Sequence, residues 1–317
     1  MSLEAYTIRR AKTRINFSPP HTEAMAVGGE YNILRDMGNP CEVHRLGLVE
    51  YQQAWELQDR LAAEIAEGKR PPTLLLLEHP HTYTFGRRGH LENLLWDEDE
   101  LARRGVTVHW VDRGGDVTYH GPGQLVGYPL LPLKAEGLRL DPTSGSARLP
   151  QADYVGYVRR LEEVLILALA RLGVSARPVP GMTGVWVEEE LKVPALPAEK
   201  QARKQAREDY KLKVGREGPQ SSDDESPLSS LESTKLAKIA AIGVKVDARG
   251  VTRHGFALNV DPDMSYWEGI IGCGLVGYPV TSLAALLGVA PPMQRVTDEV
   301  VEAFARVFGF DIHEIAK

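Results

Sequence analysis

The chain has 317 residues, 43% of them hydrophobic and 25% charged, with a formal net charge of −6. That is the balance of an ordinary globular protein, long enough for one large domain or two small ones; the acidic excess argues against a nucleic-acid surface and suits a partner with exposed lysines. No apolar run approaches the roughly 20 residues that cross a bilayer, and with only Cys41 and Cys273 a disulfide framework is excluded and a reducing compartment is implied.

Residues 1–40 read as a disordered tail. Its first 25 residues set Arg9, Arg10, Lys12 and Arg14 against Glu4 and Glu23, the composition of an organelle transit segment. Residues 43–48 read as a strand with Cys41 near its start and without an assigned role. Residues 51–66 read as a helix whose inner face carries Ala54, Trp55, Leu61, Ala62 and Ile65, stopped by Gly68. A doubly apolar strand at 73–77 and a short helix at 98–104 precede a strand from Val106.

After a glycine-rich break comes an apolar strand at 125–131, then a polar loop at 136–151. Asp153 reads as the N-cap of a helix to Leu172, with Val158, Leu161, Leu165, Ala168 and Leu169 inward and Gly173 at its end. Short strands around Arg177 and Val185 lead into residues 189–234, a charged and Ser/Pro/Gly-rich stretch too poor in apolar residues to repay the entropy of ordering. Runs at 238–246 and 251–260 read as a hairpin around Asp247-Ala-Arg-Gly250. Helices at 281–287 and 297–308 close the chain, the latter with Asp298 and Glu299 in its first turn. Strand pairs interleaved with helices predict a mixed α/β sheet with flanking helices rather than a clean βαβ repeat.

Three segments carry chemistry. The first is Arg113-Gly-Gly-Asp-Val-Thr-Tyr-His-Gly-Pro-Gly-Gln124. A strand broken by paired glycines lets the backbone approach a ligand, Arg113 offers a fixed cation, and Asp116, Thr118 and His120 share one face if the segment is extended. The second is Lys238-Ile-Ala-Ala-Ile-Gly-Val, a lysine at the start of a strand of small and apolar residues, and the third is Ile270-Ile-Gly-Cys-Gly274, a thiol between two glycines. Read as single residues, Lys238 is equally a strand-end lysine reaching water, and Cys273 a small buried hydrophobe. His79 and His81 alternate and could suggest a metal pair, but no third ligand stands near them in sequence, so no metal site is expected.

Taken together these runs resemble the lipoyl(octanoyl) transferase family, as do Glu78-His-Pro-His-Thr-Tyr-Thr-Phe-Gly-Arg-Arg-Gly89 and Gly184-Val-Trp-Val187. The resemblance extends from about Cys41 to the C-terminus and is interrupted by the 189–234 insertion. It implies the fold of biotin and lipoate protein ligases, as one catalytic domain over 41–317. Cys273 and Lys238 match the family's cysteine–lysine dyad, in which the thiolate takes an acyl group and the lysine acts as base. Substrate contacts fall on Arg113, Gly114, Gly115, Asp116, Val117, Thr118, Tyr119 and His120, on Ala241, Ile242 and Gly243, and on Gly255, Phe256 and Ala257. His120 and His254 would orient the carbonyl, with His79 packed behind them.

The implied reaction passes an octanoyl group from acyl carrier protein to a lysine of a lipoyl domain, in 2-oxoacid dehydrogenases or the glycine cleavage H protein. It goes through a Cys273 thioester and needs neither ATP nor any other cofactor. The basic tail and the insertion imply a mitochondrial protein, with a cytoplasmic one as the alternative for a bacterium. One departure stands out: Gly272 occupies the position where the family places proline. The rival readings are an ATP-dependent lipoate or biotin ligase on the same fold, a non-catalytic module that binds carrier protein, and, more remotely, a cysteine protease.

Overall fold

The computed structural model describes residues 39–133, 151–189, 235–272 and 278–315. Eight strands form one sheet in the order β11-β1-β2-β6-β10-β9-β8-β7, and three form a second in the order β4-β3-β5. In the large sheet β1 (Pro40–Leu48), β2 (Thr73–Glu78), β6 (Gln124–Leu130), β7 (Arg177–Val179), β8 (Met182–Glu189), β9 (Lys235–Val246), β10 (Thr252–Asn259) and β11 (Asp311–Ile315) meet. Only β1 with β11 and β1 with β2 pair in parallel; the remaining neighbours are antiparallel. The small sheet holds β3 (Thr82–Phe85), β4 (Thr107–Trp110) and β5 (Val117–His120).

Helices cover both faces of the large sheet, which is why its central strands read as unbroken apolar runs. On β2, Leu74 and Leu76 enter one core while Leu75 and Leu77 enter the other. The first core is closed by α3 (Gln151–Arg171) and α5 (Met293–Phe308) through Leu161, Leu165, Ala168, Val296, Val300 and Phe304. The second is closed by α1 (Tyr51–Ala66) through Ala54, Leu61, Ala62 and Ile65. A third, smaller cluster gathers Tyr83, Phe85, Val117 and Tyr119 of the small sheet with Leu101 of α2 (Glu98–Arg103). α4 (Leu283–Leu287) is capped by the Ser282 hydroxyl, which accepts from the Ala285 amide.

Several boundaries differ from expectation. α3 is already helical at Gln151, so Asp153 lies within the helix rather than capping it, and the polar loop ends before 151. α5 begins at Met293 behind Pro292, so Asp298 and Glu299 fall in its second turn. An early proline and the buried Val296 start the helix a full turn before its acidic residues. β8 keeps its strand through Glu189, and β9 starts at Lys235, so Lys238 stands fourth in its strand rather than first. The tail through 38, residues 134–150 and 190–234, and Cys273 lie outside the described residues. The 247–250 turn forms as expected: Asp247 accepts from the amides of Arg249 and Val251, and the Gly250 amide donates to the Asp247 carbonyl.

Candidate active site

β9 carries the decisive local irregularity. Val185 pairs with Ala240 but Trp186 pairs with Lys238, so one extra residue, Ile239, sits in β9 at this point. Such a bulge reverses the inward–outward alternation. Ala237, Ile239, Ala240 and Val244 therefore all enter the core, and Lys238 emerges on the same face as Ala241 and Gly243. In a regular strand, residues 238 and 241 would point to opposite sides. On the facing strand Gly184 permits the kink: its φ is +118°, and a Cβ there would lie 2.6 Å from the Ala240 carbonyl oxygen and 3.4 Å from the Lys238 Cε.

Lys238 is 7% exposed. Its Nζ lies 4.7 Å from the centre of the Trp186 ring, a cation–π contact with a fully buried aromatic. Its backbone is clamped on both sides, the amide donating to Pro279 O (2.9 Å) and the carbonyl accepting from Thr281 N (3.0 Å).

Next to this strand lies a cavity lined by Tyr51, Arg113, Gly114, Gly115, Thr118, His120 and Tyr128, by Ala241, Ile242 and Gly243, and by His254, Gly255, Phe256 and Ala257. The β9–β10 register sets Gly243 opposite Gly255 and Ala241 opposite Ala257, so the wall is built from the smallest side chains available. A Cβ on Gly243 would come within 3.0 Å of the Gly114 carbonyl oxygen and 3.1 Å of the Arg113 side chain, so any larger residue would close the space.

Arg113 is buried and held by Thr84, donating to its carbonyl (2.5 Å) and to its hydroxyl (2.9 Å), while its other terminal nitrogen donates to Gly114 O (2.9 Å). Of the predicted run 113–120, Asp116, Val117 and Tyr119 do not line the cavity. β5 begins at Val117, so Asp116 lies outside the strand's alternation; it turns aside to accept from the amide of His90 and the side chain of Asn93. Val117 and Tyr119 point the other way, into the small-sheet cluster.

Two histidines line the cavity and a third packs behind it, each differently constrained. His79 Nδ1 lies 2.6 Å from Val49 O, which can only accept, so Nδ1 carries the proton and Nε2 accepts from the Tyr128 hydroxyl at 2.7 Å. Burial lowers its pKa to about 4. It does not reach the cavity but packs behind Tyr128 and His120, with ring centres 5.9 and 5.7 Å away. His120 donates from Nδ1 to Gln124 Oε1 (2.8 Å), and burial holds its pKa well below the usual value.

His254 has φ +56°, the only positive φ among the described non-glycine residues, a strained conformation of the kind that collects at functional sites. Its Nε2 meets Asp112 Oδ1 at 2.7 Å, and its backbone amide donates to Gln58. Burial lowers the His254 pKa, opposed by Asp112. Burial pushes the Asp112 carboxyl up, but hydrogen bonds from His254 and Lys245 outweigh it and hold it at about 2. His254 faces Val244 in register, five regular strand intervals plus the bulge from Lys238, or roughly 17 Å along the strand.

His81 leaves His79 across the Pro80 turn, stacks on Tyr266 at 3.9 Å and meets the Tyr119 hydroxyl at 2.9 Å. No three metal-ligating side chains converge among the described residues. Cys41 is fully buried, and burial pushes its thiol to about 12, the state of an inert core cysteine. At Gly272 a Cβ would come within 3.0 Å of the Trp267 ring, so glycine suits the place where the resemblance expects proline.

Sequence reasoning missed Tyr51 and Tyr128 in the lining and Thr84, Asp112 and Asn259 behind it. Tyr51 reads as the first residue of an amphipathic helix and Tyr128 as one more member of an apolar strand; nothing local marks either.

A model of the lipoyl protein ligase A/B catalytic domain matches residues 50–305. An octanoyltransferase of Chloroflexus aggregans is 41% identical over 84% of this chain and 94% of its own length; one of Solibacter usitatus is 40% identical over 86% and 94%. Among solved structures, a bi-partite lipoate protein ligase from Thermoplasma acidophilum covers 88% of each chain at 14% identity with a TM-score of 0.53. A lipoate-protein ligase A bound with ATP gives 88% and 90% coverage at 15% identity and 0.53. These two likenesses concern the fold. The named relatives are bacterial, and the expectation of a mitochondrial address finds no support in them. No helix among the described residues is long and apolar enough to cross a membrane. The chain is an acyltransferase and belongs to the octanoyltransferases of the lipoyl protein ligase A/B catalytic domain family.

Proposed function

We propose that this chain carries an octanoyl group from acyl carrier protein to the ε-amino group of a lysine on a lipoyl domain, through a thioester on Cys273. The observation that carries the reading is the narrow wall of Ala241, Gly243, Gly255 and Ala257, with Lys238 brought to the same face by the β9 bulge. A straight alkyl chain fits a slot with one wall reduced to glycine and alanine at these four positions, and a buried lysine three residues before Ala241 on the same strand can take a proton from the attacking thiol.

In the first step Cys273 Sγ attacks the thioester carbonyl, its proton passes to Lys238, and Lys238 hands that proton to the carrier's sulfur as the carrier's thiol leaves. In the second, the acceptor amine attacks the acyl-enzyme, an amide forms, and the Cys273 thiol is regenerated. Two protein partners use one docking face in turn, so the kinetics are ping-pong. The archaeal lipoylation system that pairs a bi-partite lipoate protein ligase with an E2 lipoyl domain supports an acceptor of that class, and the bacterial relatives favour the cytoplasmic alternative.

The test is intact-protein mass spectrometry after mixing with octanoyl-acyl carrier protein without ATP. A gain of one octanoyl group, labile to hydroxylamine and missing from Cys273→Ser, supports the reading. Modification of a lipoyl domain only when ATP and free acid are supplied would identify a ligase and overturn it.

A further inference from the structure

A buried polar chain crosses the sheet from the cavity wall to Lys238. His120 Nδ1 meets Gln124 Oε1 at 2.8 Å; Gln124 Nε2 donates to Asn259 Oδ1 at 2.9 Å and to Tyr119 O at 3.1 Å. Asn259 Nδ2 donates to Thr281 O at 3.0 Å, and the Thr281 amide donates to the carbonyl of Lys238. Every side chain in the path is buried: His120 is 6% exposed, Gln124 1% and Asn259 3%.

The direction of each bond is dictated by one end. Thr281 O can only accept, so Asn259 must turn its amide nitrogen there and its oxygen to Gln124. Gln124 must then present its nitrogen to Asn259 and its oxygen to His120. His120 is thereby locked with the proton on Nδ1, leaving Nε2 as an acceptor toward the Thr84 hydroxyl at 3.4 Å. At the other end, Asn259 fastens residues 279–281, which hold the backbone of Lys238 on both sides.

We propose that Asn259 and Gln124 are positioning residues: Asn259 holds Lys238 in place through Thr281, and Gln124 ties that clamp to the tautomer of His120. Neither residue lines the cavity, so both act through their neighbours. The proposal rests on Lys238 serving as the base.

Asn259→Asp keeps the side chain's shape and the acceptor that Gln124 needs but gives up the amide donor to Thr281 O. Single-turnover octanoylation is followed from pH 6 to 10 in wild type, Asn259→Asp, Lys238→Ala and the double variant, with folding checked by circular dichroism. Asn259→Asp is expected to lower the maximal rate by 10-fold or more and to displace the pH midpoint, with KM for the donor held within twofold. In the Lys238→Ala background the same substitution is expected to cost less than twofold, because the residue it positions is gone. An equal factor in both backgrounds would mean a general structural role and overturn the positioning proposal alone. A wild-type rate in Lys238→Ala would overturn the reading of Lys238 and the proposal with it. If Asn259→Asp does not fold, Gln124→Glu, which keeps the acceptor for His120 and removes the donor to Asn259, is carried through the same cycle with the same criteria.

Discussion

Removing one oxygen from Tyr128 tests the interior of the site directly. Tyr128 is 3% exposed and His79 fully buried, and their hydrogen bond of 2.7 Å satisfies the only acceptor of the imidazole. Tyr128→Phe keeps the ring, and with it the apolar contact area, but leaves His79 Nε2 buried without a donor. An unsatisfied buried acceptor costs about 1–3 kcal/mol, so a loss of about 2 kcal/mol is expected. For a chain of this size that lowers the unfolding temperature by roughly 3 °C. Urea unfolding at pH 8, where His79 is neutral in both states, reads it as a shift in midpoint at unchanged slope. Pairing the variant with His79→Leu in a double-mutant cycle isolates the interaction, because the tyrosine hydroxyl has no histidine to serve in the second background. A single-variant loss below about 0.5 kcal/mol, the range of uninvolved positions, or a cycle without coupling, would refute the assignment of proton positions on His79.

His79 also sets an acid limit. Its folded pKa of about 4 lies below the ordinary 6.5, so as pH falls through 6.5 the unfolded chain binds a proton that the folded chain refuses. The His79 contribution is flat above about pH 7 and drops by roughly 3 kcal/mol toward pH 4; His79→Gln, measured by thermal melts at pH 7.5 and 5, should make that slope shallower, the remainder belonging to the other buried histidines, His120 and His254. Iodoacetamide at pH 8 should label one cysteine in the folded protein and none in Cys273→Ser, since the Cys41 thiol is buried and pushed to about 12; labelling of Cys41 would contradict its placement in the core. Gly243→Val, which must fill the space between the Gly114 carbonyl and Arg113, should abolish octanoyl transfer at least 100-fold while melting as a folded protein. Retained activity would move the acyl chain out of this cavity.

The elements were largely legible in the sequence because their signals are local. The helix 51–66 shows its apolar stripe, the 73–77 strand its double burial, the 247–250 turn its Asp and Gly, and these forces act between residues close in the chain. The motif segments were legible too, since glycine beside a fixed cation declares a close backbone approach at the level of residue type.

What the tertiary structure decided is where those segments meet and which way each side chain turns. Period-two reasoning puts Asp116 on the ligand face with Thr118 and His120; the strand starts one residue later, and Asp116 anchors Asn93 and His90 instead. The same reasoning puts Lys238 on the face opposite Ala241, and only the bulge against Val185 and Trp186 brings them together. His254 reads as an ordinary strand residue, yet its backbone is left-handed and its ring is tied to Asp112, 142 positions away in the chain. The proton positions on His79 and His120 follow from the carbonyls of Val49 and Thr281, again far along the chain. Residue types announce what chemistry is available; bulges, registers and distant carbonyls, which depend on packing between segments, decide which atoms face one another.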